Sequence, residues 1–323
     1  MKTIDIAIVG AGPCGLACAI EAKKNGLSHL VFDKGTIAES IRRYPLQMRF
    51  FSTRENIEIG DLPFAIREPK ASREEALTYY RKAAHHYGLN LSLQDKVLEV
   101  TPQEEGGFMV KSEHQTVLAK NVVMATGYFD NLKSLEAKGE DLPHVKRRYR
   151  EPYEFAFSKV VIVGGGNSAV EAALDLQRND VDVTLAVRSD SFKITAKYWL
   201  VPDLQNRINE GKIKLIPNCK VSEIRKKDLT LTHNDGSETV LEADYVLGLI
   251  GHLPDFEFLK RCGVHCDEDS GETVHDKETF QTSVPGIYVA GTVLCGSKTE
   301  KIFIENGREH GKAIVRHILQ KGL

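Results

Sequence analysis

The chain has 323 residues, of which 41% are hydrophobic, enough to bury a full core and long enough for two domains of ordinary size. Its 43 basic and 45 acidic residues are interspersed and nearly cancel, to a formal net charge of −2. That balance leaves no electrostatic footprint for a polyanion, so a nucleic-acid partner is not expected. No apolar stretch reaches the roughly 18 residues a membrane span needs. The start MKTIDIAIVGAGPCG runs straight into a strand and a glycine loop, which points to a cytoplasmic protein without a membrane partner. Six unevenly spaced cysteines do not form a disulfide framework.

In chain order, residues 4–9 form a short strand-like run, apolar but for Asp5, followed by Gly10-x-Gly12-x-x-Gly15 and an apolar-rich helical stretch over residues 16–24. A second strand over residues 30–33 completes a βαβ unit with parallel strands. It ends at Asp33, with Lys34 beside it. Arg42, Arg43, Arg49 and Arg54 follow; some could meet carboxylates of a substrate, and solvation is the plainer reading. Ser72 and Glu75 have capping-box spacing. Short strands turn at Glu105-Gly106-Gly107, and a strand over residues 121–125 leads into Thr126-Gly127.

Residues 129–158, rich in charge, proline and aromatics, suit an inter-domain connection. The opening pattern then recurs. An apolar run over residues 160–163 meets Gly164-Gly165-Gly166-Asn167-Ser168-Ala169, and a second strand follows over residues 181–187. Further on, residues 244–249 lead into Ile250-Gly251 after a turn at Asn234-Asp235-Gly236. A final strand over residues 287–290, ending at Gly291-Thr292, and a helix-like stretch over residues 299–319 most economically return to the first domain.

The expected fold is therefore α/β: two Rossmann-type dinucleotide-binding domains, each with an inserted β-meander, the first being discontinuous. The first, FAD-binding, comprises residues 1–128 and 277–323; the second, NADPH-binding, comprises residues 159–276.

A glycine loop entering a helix brings backbone N–H groups and the positive end of the helix dipole to a pyrophosphate. Gly10, Gly12, Pro13 and Gly15 are the candidates in the first loop, with Thr126 and Gly127 at the neighbouring strand end. Gly164, Gly166, Asn167 and Ser168 are their counterparts in the second, with Gly251. Asn167 and Ser168 could donate to phosphates or simply cap the helix. The second-strand ends discriminate the ligands. A carboxylate at Asp33 suits a free ribose hydroxyl, as in FAD, whereas a guanidinium at Arg188, assisted by Lys193, suits the 2′-phosphate of NADPH. A charge-assisted contact there gives roughly a 10- to 150-fold preference for the phosphorylated coenzyme.

Neither Cys-x-x-Cys nor Cys-x-x-x-x-Cys occurs. Cys14 stands in the first loop at a helix N-terminus, where the dipole favours thiolate, although a small loop residue would look the same. Cys262, His265 and Cys266 offer only three local donors, so no metal site is expected. Cys18, Cys219 and Cys295 read as buried small hydrophobes.

Gly10-Ala11-Gly12-Pro13-Cys14-Gly15, Ala125-Thr126-Gly127, the second glycine loop and Gly291 after its strand resemble the low-molecular-weight thioredoxin reductase architecture over nearly the whole chain. More narrowly, Gly12-Pro13-Cys14-Gly15, the stretch from Tyr44-Pro45 to Phe50-Phe51-Ser52, residues 59–64 (Ile-Gly-Asp-Leu-Pro-Phe) and residues 302–307 (Ile-Phe-Ile-Glu-Asn-Gly) resemble the bacillithiol-disulfide reductase family. The resemblance implies an NADPH- and FAD-dependent homo-oligomeric enzyme that reduces a small-molecule disulfide, bacillithiol disulfide, with Cys14 as redox thiol. It also implies a helix from near Thr299 aimed at the flavin pyrimidine edge. Gly291 and Thr292 would lie at the flavin, Thr292 standing where an Asp commonly binds the ribityl chain. Open alternatives are a flavin monooxygenase, a ferredoxin-NADP reductase without a cysteine pair, and a non-catalytic flavin redox sensor.

Overall fold

The computed structural model describes residues 3–190, 199–298 and 301–322. It divides into two compact units, Met1–Asn131 with His252–Leu323, and Leu132–Gly251.

The first unit is built on a sheet whose spatial order is Leu91–Leu93, His29–Asp33, Thr3–Val9, Thr116–Met124, Phe108–Ser112 and Val97–Pro102, with Ile287–Val289 also pairing with Thr116–Met124. Thr3–Val9 runs parallel to both His29–Asp33 and Thr116–Met124. Its apolar run over residues 6–9 is explained by burial on both faces. Ile6 and Ile8 pack with Leu16 and Ile20 of the helix Pro13–Lys24. Ile4, Ala7 and Val9 pack with Val97, Val100 and Phe108 on the other side. Each such aliphatic side chain contributes roughly 1.5–3 kcal/mol when fully buried. The helix Arg73–His86 starts at the expected capping box, Ser72 accepting from the Glu75 amide and Glu75 from that of Ser72.

The second unit repeats the scheme with the strand order Ile213–Ile216, Asp182–Ala186, Lys159–Val163, Tyr245–Gly248 and Val145–Lys146, all parallel. Val160 and Ile162 face the helix Asn167–Arg178, while Val161 and Val163 face the antiparallel sheet of Cys219–Ile224, Asp228–His233 and Glu238–Glu242. That meander forms its own three-stranded sheet, whereas the one in the first unit extends the parallel sheet.

Three boundaries fall elsewhere than the sequence suggests. Residues 132–158 belong to the second unit, because Val145–Lys146 joins its sheet and Tyr149 and Phe155 enter its core. Residues 252–276 belong to the first, because Phe258, Leu259, Cys262 and Val264 bury themselves against the Val97–Pro102 side of its sheet. The single helix expected over residues 299–319 is divided into Ile304–Gly307 and His310–Gln320, and Thr299 lies outside the described residues. No helix among the described residues is long and apolar enough to cross a membrane.

Candidate active site

The two glycine loops share one backbone solution. Gly10 has φ +118° and Gly164 φ +140°, and a Cβ at either would land on a neighbouring carbonyl oxygen, that of Ala125 or of Leu249. Those carbonyls close the Thr116–Met124 and Tyr245–Gly248 strands, so the first glycine of each loop is what allows strand end and loop to meet. Gly12 and Gly166 are the helix N-caps, and a Cβ at either would meet nothing within 4 Å. The N-cap of each helix is thus a residue without a side chain, and Asn167 and Ser168 are the first two residues of the second helix rather than its N-cap. Pro13, at the first helical position, has no N–H to lose there. Each helix therefore presents first-turn amides to open space, the setting an anionic diphosphate requires.

At the last loop position the two part company. A Cβ at Gly15 would collide with the Gly10 carbonyl oxygen, whereas the second loop carries Ala169, buried without conflict.

Asp33 does more than end a strand. Its Oδ2 accepts from the Ala11 amide at 2.7 Å and its Oδ1 from the Gly35 amide at 2.7 Å, so the carboxylate braces the loop. Burial pushes its pKa up from the ordinary value, the two backbone bonds oppose that, and Glu39 and Asp130 add to the rise. Lys34, expected at the cofactor, forms an ion pair with Asp130 at 2.9 Å, and Arg43 reaches the same carboxylate at 2.7 Å. Burial raises the Glu39 carboxyl, but Arg42, Arg43 and Thr36 outweigh it and hold Glu39 down at about 2. Arg54 pairs with Glu55 at 2.8 Å and Arg49 reaches the Lys70 carbonyl at 3.3 Å. These arginines thus have partners within the unit, while Arg42 and Arg49 remain exposed to solvent.

Arg188 is exposed just past the Asp182–Ala186 strand, with no hydrogen bond or ion pair among the described residues. Lys193 lies outside the described residues. Gly251, φ +99°, follows the Tyr245–Gly248 strand as Gly127, φ +67°, follows Thr116–Met124. Beside Gly127, the Thr126 hydroxyl is buried without a hydrogen-bond partner, and a Cβ at Gly127 would lie 3.4 Å from the Thr292 hydroxyl. An orphaned hydroxyl, an open helix start and a second hydroxyl close by are what a bound flavin dinucleotide would complete.

Cys14 is where expectation and structure disagree most. The residue keeps partial exposure, but its sulfur is enclosed by protein: a Cβ at Gly291 would be 2.8 Å from Sγ, and one at Gly307 would be 2.7 Å away. Burial pushes the thiol up to about 12, opposite to the lowering expected from the helix dipole. Desolvation of the anion wins because no cation is among the causes of the shift. Cys18, Cys219, Cys262 and Cys295 are buried, as small hydrophobes are.

Sequence reasoning passed over His310. It is buried at the start of its helix, and its Nδ1 accepts from the Gly291 amide at 3.2 Å. Its nearness to the string at residues 302–307 was the available signal.

Residues 7–291 match the family described as pyridine nucleotide-disulphide oxidoreductase. This chain belongs to that family. It is a flavoprotein oxidoreductase that uses FAD and NADPH. It is similar to Bacilliredoxin reductase Bdr of Bacillus subtilis (strain 168), 33% identical, with 97% of each chain covered. It is also similar to the solved Bacillithiol Disulfide Reductase Bdr from Staphylococcus aureus, 35% identical with a TM-score of 0.96 and all of both chains covered. The Bacillus cereus structure of that name matches at 34% identity and a TM-score of 0.97, over 99% of this chain and 100% of the other.

Proposed function

We propose that this chain reduces the disulfide of bacillithiol at the expense of NADPH: NADPH, one proton and RS–SR become NADP⁺ and two RSH. Bound FAD supplies the two-electron relay between nicotinamide and sulfur. The observation that carries the reading is the first loop itself, where an uncapped helix start opens beside an orphaned Thr126 hydroxyl and the Cys14 thiol sits at its second helical residue. The similarity of the whole chain to the Bdr proteins supports the substrate class.

In this reading Gly10, Gly12, Pro13 and Gly15 admit the FAD diphosphate to the helix Pro13–Lys24, and Asp33 keeps that loop in shape while facing the ribose. Lys34 acts indirectly, through Asp130. Thr126, Gly127, Gly291 and Thr292 line the flavin side, where the two hydroxyls are available as donors. Gly164, Gly166, Asn167, Ser168 and Gly251 form the corresponding NADPH cradle, and Arg188 engages the 2′-phosphate, with Lys193 as its helper.

Cys14 serves as the chain's redox thiol. Its Sγ keeps its proton at neutral pH, which protects it from adventitious oxidation. Exchange with RS–SR requires that proton to leave, whereupon Cys14–S–SR forms and one RS⁻ departs, taking up the proton as RSH; two electrons and two protons then release the second RSH and restore the thiol. The test is disulfide-dependent NADPH oxidation by the purified protein, with bacillithiol disulfide, a bacilliredoxin mixed disulfide, ferredoxin and oxygen supplied in separate assays. Turnover with bacillithiol disulfide that disappears in Cys14→Ala supports the reading. Turnover with ferredoxin or oxygen alone overturns it.

A further inference from the structure

Three stacked rings of the first unit, His275, Phe280 and His310, end on one amide. The Gly291 N–H, at the end of the Ile287–Val289 strand, donates to Nδ1 of His310 at 3.2 Å in a buried setting. The imidazole is stacked on Phe280 with centroids 4.1 Å apart and an interplanar angle of 15°, and Phe280 is stacked in turn on His275 at 6.0 Å and 15°. Phe280 holds this place with φ +59°, a left-handed conformation that a bulky side chain rarely adopts, so the surrounding structure imposes it. The ring plane of His310 is thereby fixed, and Nδ1 is fixed with it.

What Gly291 carries gives the contact its meaning. It is left-handed too, at φ +76°, and its Cα face lies against the Cys14 sulfur. Gly307, three residues before His310, closes on the same sulfur, and a Cβ there would be 3.3 Å from the Gly291 Cα. The next residue along is Thr292, whose hydroxyl stands opposite Gly127. One turn therefore sets the distance between thiol and hydroxyl. A single imidazole nitrogen satisfies the amide of that turn.

We propose that His310 is a positioning residue: by accepting the Gly291 N–H at Nδ1, it holds the Gly291–Thr292 turn closed over the Cys14 thiol. A buried amide left without an acceptor is costly, so the turn opens when Nδ1 is lost. Accepting at Nδ1 assigns the proton of the neutral ring to Nε2. Burial, with His275 adding to it, pulls the imidazole down to about 4, which keeps Nδ1 available throughout the neutral range. For turnover this inference rests on the assigned role of Cys14; for the closure of the turn it does not.

The test uses the FAD-loaded protein and reads the alkylation rate of Cys14 by peptide mass spectrometry, with Cys266 as internal reference. Asn places an oxygen where Nδ1 stands, Gln places one where Nε2 stands, and Phe keeps the stack with no acceptor. His310→Phe and His310→Gln are expected to speed Cys14 alkylation about tenfold or more relative to Cys266, and His310→Asn to remain within about threefold of the parent. Should His310→Phe fail to fold, the Gln and Asn pair alone decides. Equal acceleration in Gln and Asn variants would show that ring packing matters rather than the acceptor, and would overturn the proposal, as would unchanged rates in both. None of these rates needs NADPH or a disulfide, so they stand or fall separately from the proposed reaction.

Discussion

The two glycine loops are the same backbone written with different side chains. Gly10 and Gly164 both let a loop touch a strand-end carbonyl, and Gly12 and Gly166 both open a helix start to space. Beyond that they diverge. The first loop is braced by a half-buried carboxylate, Asp33, and contains a thiol; the second contains no thiol and is followed by the exposed guanidinium of Arg188. The first also tolerates no Cβ at its last position, where the second carries Ala169. In the proposed reading, the shared backbone admits a dinucleotide to each unit, and the few differing side chains decide which one each holds and where electrons leave.

The largest expected effect comes from breaking one loop while sparing the other. Gly10→Ala puts a Cβ on the Ala125 carbonyl at a strained φ, and the purified protein should retain less than about a tenth of the parent's flavin absorbance. Gly164→Ala should stay yellow while its KM for NADPH rises about a hundredfold or more, measured by stopped-flow flavin reduction. A colourless Gly164→Ala protein would show that the loops are not independent.

Next is coenzyme choice. Arg188→Ala should lower the preference for NADPH over NADH roughly 10- to 150-fold in kcat/KM. The NADH rate itself should barely change.

The thiol gives a prediction opposite in sign to the one the helix dipole suggests. With Cys14 pushed up to about 12, its thiolate fraction grows about tenfold per pH unit, so its alkylation rate should climb without a plateau from pH 7 to 10. A plateau near pH 8 would mean the dipole prevails after all.

His310 contributes a pH-dependent stability. Its folded value is depressed to about 4 from 6.5, so the unfolded chain binds more protons between those values. Stability from this group is fully present above pH 6.5 and declines by up to about 3 kcal/mol as pH falls towards 4. The acid-side drop in melting temperature should be smaller in His310→Asn. Smallest of all, Ala169→Gly should cost at most about 1 kcal/mol of stability and leave NADPH affinity unchanged, since a glycine already occupies that place in the first loop.

The sequence displayed the parts of the molecule that are periodic. Ile4–Val9 and Val160–Val163 read as strands because all but Asp5 are apolar, and each is clad on both faces. Short elements carried no such signal: Val145–Lys146 is two residues long and Phe256–Arg261 only six, so the unit to which each flank belongs became visible only through packing. The same limit hid the surroundings of Cys14. Its place at a helix start is local information, but the crowding by Gly291 and Gly307 that desolvates its sulfur comes from the far end of the chain. The ion pair of Lys34 was hidden for a similar reason, because its partner Asp130 lies 96 residues away in sequence.

The central claim is that one chain passes electrons from NADPH to a thiol disulfide through bound FAD. Anaerobic titration of the purified protein tests it most directly. One equivalent of NADPH should bleach the visible flavin band, and bacillithiol disulfide should then restore it with release of two thiols per flavin. A protein that stays colourless after soaking with FAD, or a bleached one whose colour bacillithiol disulfide fails to restore, would contradict it.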